Sequence, residues 1–169
     1  MKKTVSILMT IAVMAAMITA FMIPASAQKY PRAEEIFQYI RIDGIDGDSG
    51  SAFNYDHERW IDIISAEQDF ENVNGKTYTK LTFKHYIDRA TPAIQENLKN
   101  GTVIESADFH TTTFCNWEEE ETVIYNLHLE NITIVSAVYN GISTDVNGNT
   151  VYPTETVTLL AEISTVNVY

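Results

Sequence analysis

From residue 78 to 88 the side chains alternate, with Leu81, Phe83, His85 and Ile87 on one face and Tyr78, Lys80, Thr82, Lys84 and Tyr86 on the other. That is the period of a β-strand. The period then lengthens. Thr91 stands where an N-cap belongs, Pro92 takes the first helical position, where a missing N–H costs nothing, and Gly101 closes the helix. Ile94 and Leu98, four apart, give this helix one apolar stripe, so it docks on a core without forming one. Upstream, residues 36 to 43 predict a first strand and residues 44 to 56 a loop of Gly, Asp and Ser. A second strand from about Arg59 to Phe70 is apolar on both faces through Trp60, Ile61, Ile63, Ile64 and Ala66, which predicts burial on both sides. Asn74-Gly75 then reads as a type I′ hairpin turn. After the helix, residues 102 to 115 alternate with Val103, Ala107 and Phe109 on one face, and the acidic run Glu118 to Glu121 marks a tip before the next strand.

Two long strands change phase midway. Between residues 123 and 139 the apolar positions are Val123, Tyr125, Leu127 and Leu129, then Ile132 and Ile134, so the inward parity flips near Glu130 and Asn131. Residues 155 to 168 do the same, from Val157, Leu159, Ala161 and Ile163 to Val166 and Val168. A slip in a period of two requires a bulge or bend, and bulged antiparallel strands turn sheets into barrels. The expected fold is mainly β, an antiparallel β-barrel with one short flanking α-helix. An open two-sheet sandwich is the alternative.

The first 27 residues stand apart from this pattern. Lys2 and Lys3, an apolar run from Ile7 to Ile23 and the small residues Ala25-Ser26-Ala27 read as a secretory signal peptide, with cleavage expected before Gln28. A retained membrane anchor is the alternative. Cleavage leaves residues 28–169 as one domain of the 169-residue chain, which has no repeat and no low-complexity linker. The removed segment holds two basic and no acidic side chains, so the remainder carries 9 Lys and Arg against 23 Asp and Glu, a formal charge of −14. Nucleic acid is excluded as a partner, because a polyanion needs clustered Lys and Arg to release its counterions. An anionic membrane surface is disfavoured for the same reason. Cys115 is the only cysteine, so an exported chain must be stabilised by packing or by neighbouring copies instead of an internal disulfide.

Candidate chemistry is sparse. There is no G-x-S-x-G elbow, no H-E-x-x-H and no Gly-rich phosphate loop. His57, His85, His110 and His128 fall in or beside predicted strands, at spacings that match no metal site. His110, Cys115 and His128 are the one set that adjacent strands could bring together as a nucleophile or metal site, against the plainer reading of barrel histidines with hydrogen-bond partners. Asp43, Asp46 and Asp48, and again Asp145, Asn147 and Asn149, resemble fragments of a calcium loop. Counted from Asp46, however, position six is Ser51 and position twelve His57; counted from Asp145 they are Thr150 and Thr156, so both counts fail and turn chemistry explains the residues. Asn131-Ile132-Thr133 is a glycosylation sequon within a strand. No catalytic, cofactor-binding or metal residue is assigned, and the chain is expected not to be an enzyme.

Several segments, in order, carry a likeness: FQYIRIDGIDGDS, HERWIDIISAEQDF, LTFKHYIDRATPAIQENLKNG, VIESADFHTTTF, YNLHLENITIVSAVYNG and ETVTLLAEISTVNVY. Together they resemble the Hcp family, the inner-tube protein of the type VI secretion system. The central segment is the most specific, through the order Phe83, Lys84, Tyr86, Ile87, Asp88, Thr91, Pro92. The resemblance implies a β-barrel protomer with a flanking helix, six of which form a ring. Such rings stack into a hollow tube that is expelled and carries small effector proteins. Two features depart from the family. Its tube subunits are normally assembled in the cytoplasm, whereas an export signal is expected in this chain. Family members also often carry a long extended loop that reaches the next ring, where this chain has only ENVNGKT between Phe70 and Tyr78. An exported binding module that keeps the barrel as a monomer or small oligomer, with acidic loops at 44 to 56 and 118 to 121, is the alternative function.

Overall fold

The computed structural model describes residues 35–49, 57–115, 120–144 and 150–169. The expected signal peptide, Glu118, Glu119 and the Asp145 to Asn149 turn lie outside them. The strands are β1 (Glu35–Ile42), β2 (Ile61–Val73), β3 (Lys76–Tyr86), β4 (Val103–Cys115), β5 (Glu120–Tyr139), β6 (Ser143–Thr144), β7 (Thr150–Val151) and β8 (Thr154–Val168), with one helix, α1 (Ala90–Asn100), between β3 and β4. Six strands close into a barrel in the order β1-β2-β3-β8-β5-β4, every pair antiparallel, and β6 and β7 form a separate two-stranded ribbon. This settles the choice between barrel and sandwich.

Hydrophobic alternation fills the barrel as expected along β3, where Leu81, Phe83 and His85 are buried. The core joins them to Ile40, Ile61, Leu127, Leu129, Ile132 and Leu159, and to Ala90 and Ile94 of α1, with Leu98 packed against its margin. The Asn74-Gly75 turn has both central φ values positive, 54° and 84°, as a type I′ turn requires.

The phase change of the long strands is real, and it runs across three strands at one level. Ile104, Ile132 and Ala161 lie side by side on β4, β5 and β8, and the next inward row is Ala107, Leu129 and Ser164, three residues away on each strand instead of two. Because all three strands flip together, register is preserved across the crease. Asn131, at φ 52°, supplies the left-handed residue that the fold in β5 needs. Two placements are corrected by this. Val103 faces outward, 65% exposed, and Ile104 takes the core position; Ile163 also faces outward, 48% exposed, because β8 flips immediately after Ala161. Further bulges fall in β2 between Ile63 and Ser65 and in β5 between Ile134 and Ser136, and a third shift separates Thr111 from Thr112 on β4. Each adds local bend and twist to a closing sheet.

The helix begins earlier than its sequence signals imply. Arg89 holds the N-cap position without a side-chain cap bond, and the side chain that binds the first helical N–H is that of Asp88, not Thr91: Asp88 Oδ1 accepts the Ala90 N–H at 2.9 Å, while Thr91 Oγ1 accepts the Asp88 N–H at 3.4 Å. Thr91 is therefore the return partner in a reciprocal pair at the helix entry, and with Arg89 at the N-cap position Pro92 sits third in the helix, within the first turn where an N–H has no intrahelical acceptor. Gly101 ends α1 in the left-handed region as expected, with φ 60°.

Candidate interaction surfaces

On β1 and β4 the side chains that face away from the core include Tyr39, Arg41, Asp108 and His110, with Tyr39 opposite His110 and Arg41 opposite Asp108. The segment from His57 to Trp60 folds over this outer row. His57 Nε2 and His110 Nδ1 are 2.9 Å apart, one donating and the other accepting. Tyr39 stacks on the His57 ring at 4.4 Å, Trp60 meets both imidazoles at 4.6 Å, and the Arg41 guanidinium lies 5.2 Å above the indole. Burial, and then the nearby His57, push the His110 pKa below its ordinary value, which favours the neutral imidazole at His110. At Asp108 burial works to raise the pKa, but hydrogen bonds from His128 and Arg41, both 2.7 Å, outweigh it and hold the carboxyl below the usual range.

The strap from Gly47 to Ser49 fixes the His57–Trp60 segment from its other side. Gly47 N–H donates to the Arg59 carbonyl at 2.7 Å and Ser49 N–H to the Trp60 carbonyl at 2.9 Å. Between the turn at 41 to 46 and Arg59–Trp60 lies a cleft of about 420 Å³ whose walls carry Arg41, Asp43, Asp46, Glu58, Arg59 and Asp108. Two of the carboxylates suggested as calcium ligands, Asp46 and Asp48, are engaged elsewhere, while Asp43 lines the cleft. Asp46 pairs with Arg59 at 3.5 Å, and Asp48 pairs with Arg89 and donates its N–H to Asp88. Among the described residues no group of His, Cys, Asp and Glu is arranged to hold a metal ion.

His85 lies inside the barrel. Its Nε2 is 3.3 Å from Glu155, which also accepts a hydrogen bond from Gln95 of α1, so a buried polar bridge links the helix to β3 and β8. The set His110, Cys115 and His128 is not assembled: in the β4–β5 register His110 faces Asn126, His128 faces Asp108, and Cys115 faces Glu120 at the far end. Glu121 is not at an acidic tip either. It is buried in β5 and accepts the Thr112 hydroxyl hydrogen bond.

The expectation that β2 is buried on both sides fails within the protomer. Trp60 and Ile61 are buried, but Ile64 is 45% and Phe70 64% exposed. Ile36, Val135, Val138, Val166 and Val168 are likewise exposed, so the barrel presents apolar strand positions to its surroundings. The His57–Trp60 cover had only a faint signal in the sequence, an aromatic and a histidine just before a strand whose partners come from distant segments.

The sequence family described as "Type VI secretion system effector, Hcp" matches residues 39–165, which run from the middle of β1 to near the end of β8. The chain belongs to the Hcp family. The Hcp fold is also what solved structures match. Hcp1 from Salmonella typhimurium is 22% identical with a TM-score of 0.64, covering 79% of this chain and 86% of that one. A type VI secretion system effector from Yersinia pestis is 19% identical with a TM-score of 0.57, covering 78% and 99%. At these identities the likeness is one of fold. No curated protein matches the chain. Among the described residues no helix is long and apolar enough to cross a membrane.

Proposed function

We propose that this Hcp-family chain is a non-enzymatic, self-assembling subunit that forms a ring, six-membered by analogy with the family, after export through a signal peptide cleaved before Gln28. The observation that carries the reading is the family match over residues 39–165, on a barrel whose strands leave Ile64, Val135 and Val138 exposed in the single protomer. Burial of apolar side chains at about 25 cal/mol per Å² is the force that would draw copies together. Small effector proteins are the expected cargo, in the periplasm or outside the cell. The two-residue turn at Asn74-Gly75 supports rings over stacked tubes, since the hairpin carries no long loop to reach a second ring.

Light scattering and electron microscopy of residues 28–169 test this: six-fold rings are expected. A stable monomer at high concentration would instead favour an exported binding module. Mass spectrometry of the exported protein checks the leader, with Gln28 expected as the first residue.

A further inference from the structure

β2 loses a neighbour on one side soon after it begins. Its pairing with β1 ends at Tyr39 and Asp62, whereas β1 continues beside β4 back to Glu35. The Ile64 bulge lies just beyond that point, and a bulge bends its strand and ends pairing. From Ile63 to Val73, β2 is therefore paired only on its β3 side among the described residues. The gap that opens between β1 and β2 is a slot into the barrel interior, where a cavity of about 280 Å³ is lined by Gln38, Ala66, Gln68, Leu81, Phe109 and Tyr125 among others, from strands β1 to β5. Tyr125 of β5 donates its hydroxyl to Gln68 of β2 at 2.7 Å across the barrel interior.

An open strand edge offers a row of N–H and C=O groups to an added strand. The two faces of β2 specify what that strand must carry. Ala66, Gln68 and Phe70 alternate on the side that faces Phe83, Leu81 and Thr79 of β3, so the inward face of the slot is mixed apolar and amide. The outward face is Glu67, Asp69 and Glu71. Lys80 meets Glu71 at 3.7 Å, while Glu67 and Asp69 form no ion pair among the described residues. Directly opposed residues on an added strand would have their Cβ atoms about 5 Å from those of Glu67, Asp69 and Glu71.

A second copy of this edge is the wrong occupant, because antiparallel pairing of β2 with β2 sets carboxylate against carboxylate, and like charges directly opposite destabilise a sheet. The basic strand of the chain itself, β3 with Lys76, Lys80 and Lys84, already has β2 and β8 as neighbours. We propose that the slot between β1 and β2 takes an extended segment of another protein, added as a strand along β2, with Lys or Arg facing Glu67 and Asp69 and apolar side chains turned into the slot. The acidic edge then has a double effect, repelling copies of itself and selecting a basic partner.

The test is fluorescence anisotropy of the full chain with labelled peptides of about nine residues, long enough to cover most of the open edge at ~3.3 Å per residue. A peptide of alternating Lys and Val is expected to bind, and its Glu-Val counterpart is not. A peptide of the same composition with its Lys and Val in two blocks should bind at least about tenfold more weakly, since only alternation satisfies both faces. The double variant Glu67→Lys, Asp69→Lys, confined to exposed positions and so expected to fold, should reverse the preference towards the Glu-Val peptide. Equal binding of the block peptide, or Lys-Val binding unchanged in the double variant, would overturn the proposal. Concentration-dependent self-association abolished by the double variant would also overturn it, by making a second copy the occupant.

Discussion

Gly47→Ala gives the sharpest test of how the His57–Trp60 segment is held. A Cβ built at Gly47 falls 2.3 Å from the Trp60 carbonyl oxygen, 2.6 Å from its carbon and 2.8 Å from the Ile61 Cα. All three are backbone atoms, so no side chain can swing aside. Restoring normal contact requires a separation of roughly 1 Å between the strap and β2, since ordinary carbon contacts begin near 3.5 Å. That movement strains or breaks the bonds from Gly47 N–H to Arg59 and from Ser49 N–H to Trp60. Two bonds at about 1 kcal/mol each, with about 1 kcal/mol of overpacking, give a loss of ~3 kcal/mol. For a domain of this size the midpoint of thermal unfolding falls by about 9 °C. Gly44→Ala is the control. Gly44 has φ +73° and an added methyl there would meet no atom within 4 Å, so its cost is the left-handed strain alone, about 1 kcal/mol. Urea titrations of both variants, followed by circular dichroism, measure the difference. Equal losses, or a larger loss for Gly44→Ala, would refute the close approach as the reason for glycine at position 47.

Stability should fall in mild acid because of His110. Its folded pKa lies below the unfolded value of 6.5, so the unfolded chain binds the proton first and the contribution, fully present above 6.5, is lost as pH drops below it. Melting curves from pH 8 to 5 should show a smaller decline for His110→Gln than for the parent protein, and identical slopes would contradict the buried imidazole pair. Asp88→Ala removes the acceptor for the Ala90 N–H and should cost ~1 kcal/mol, with faster hydrogen exchange confined to the first turn of α1. Thr91→Ala should cost less, because its hydroxyl contact is long at 3.4 Å; the reverse ranking would restore Thr91 as the cap. Phe83 is 1% exposed at the centre of the core, so Phe83→Ala should lose about 3–5 kcal/mol in denaturant titration.

Most of the barrel was legible because its strands obey a local rule: a side-chain period of two with one wet and one dry face. The β3 faces, the Asn74-Gly75 turn, the Gly101 cap and the phase change at Glu130 and Asn131 are all decided by residues within a few positions of one another. The helix start was misplaced because Pro92 is tolerated anywhere in the first turn, so its position does not mark the first residue. Val103 and Ile163 were misassigned because the crease is a joint property of three strands, and the level at which β4 and β8 flip is set by their pairing with β5.

The surfaces were decided by tertiary structure alone. Nothing within the β2 sequence distinguishes Ile61, buried in the barrel, from Ile64, left exposed at the bulge in the pairing of β2 with β3. His57 and His110 lie 53 residues apart, and only closure of the sheet brings their nitrogens to 2.9 Å. Sequence by itself determined which faces are apolar, because hydrophobicity is a property of each side chain. Which of those faces stays open to a partner was fixed by the closure of the barrel, because exposure depends on which distant strands come to lie alongside.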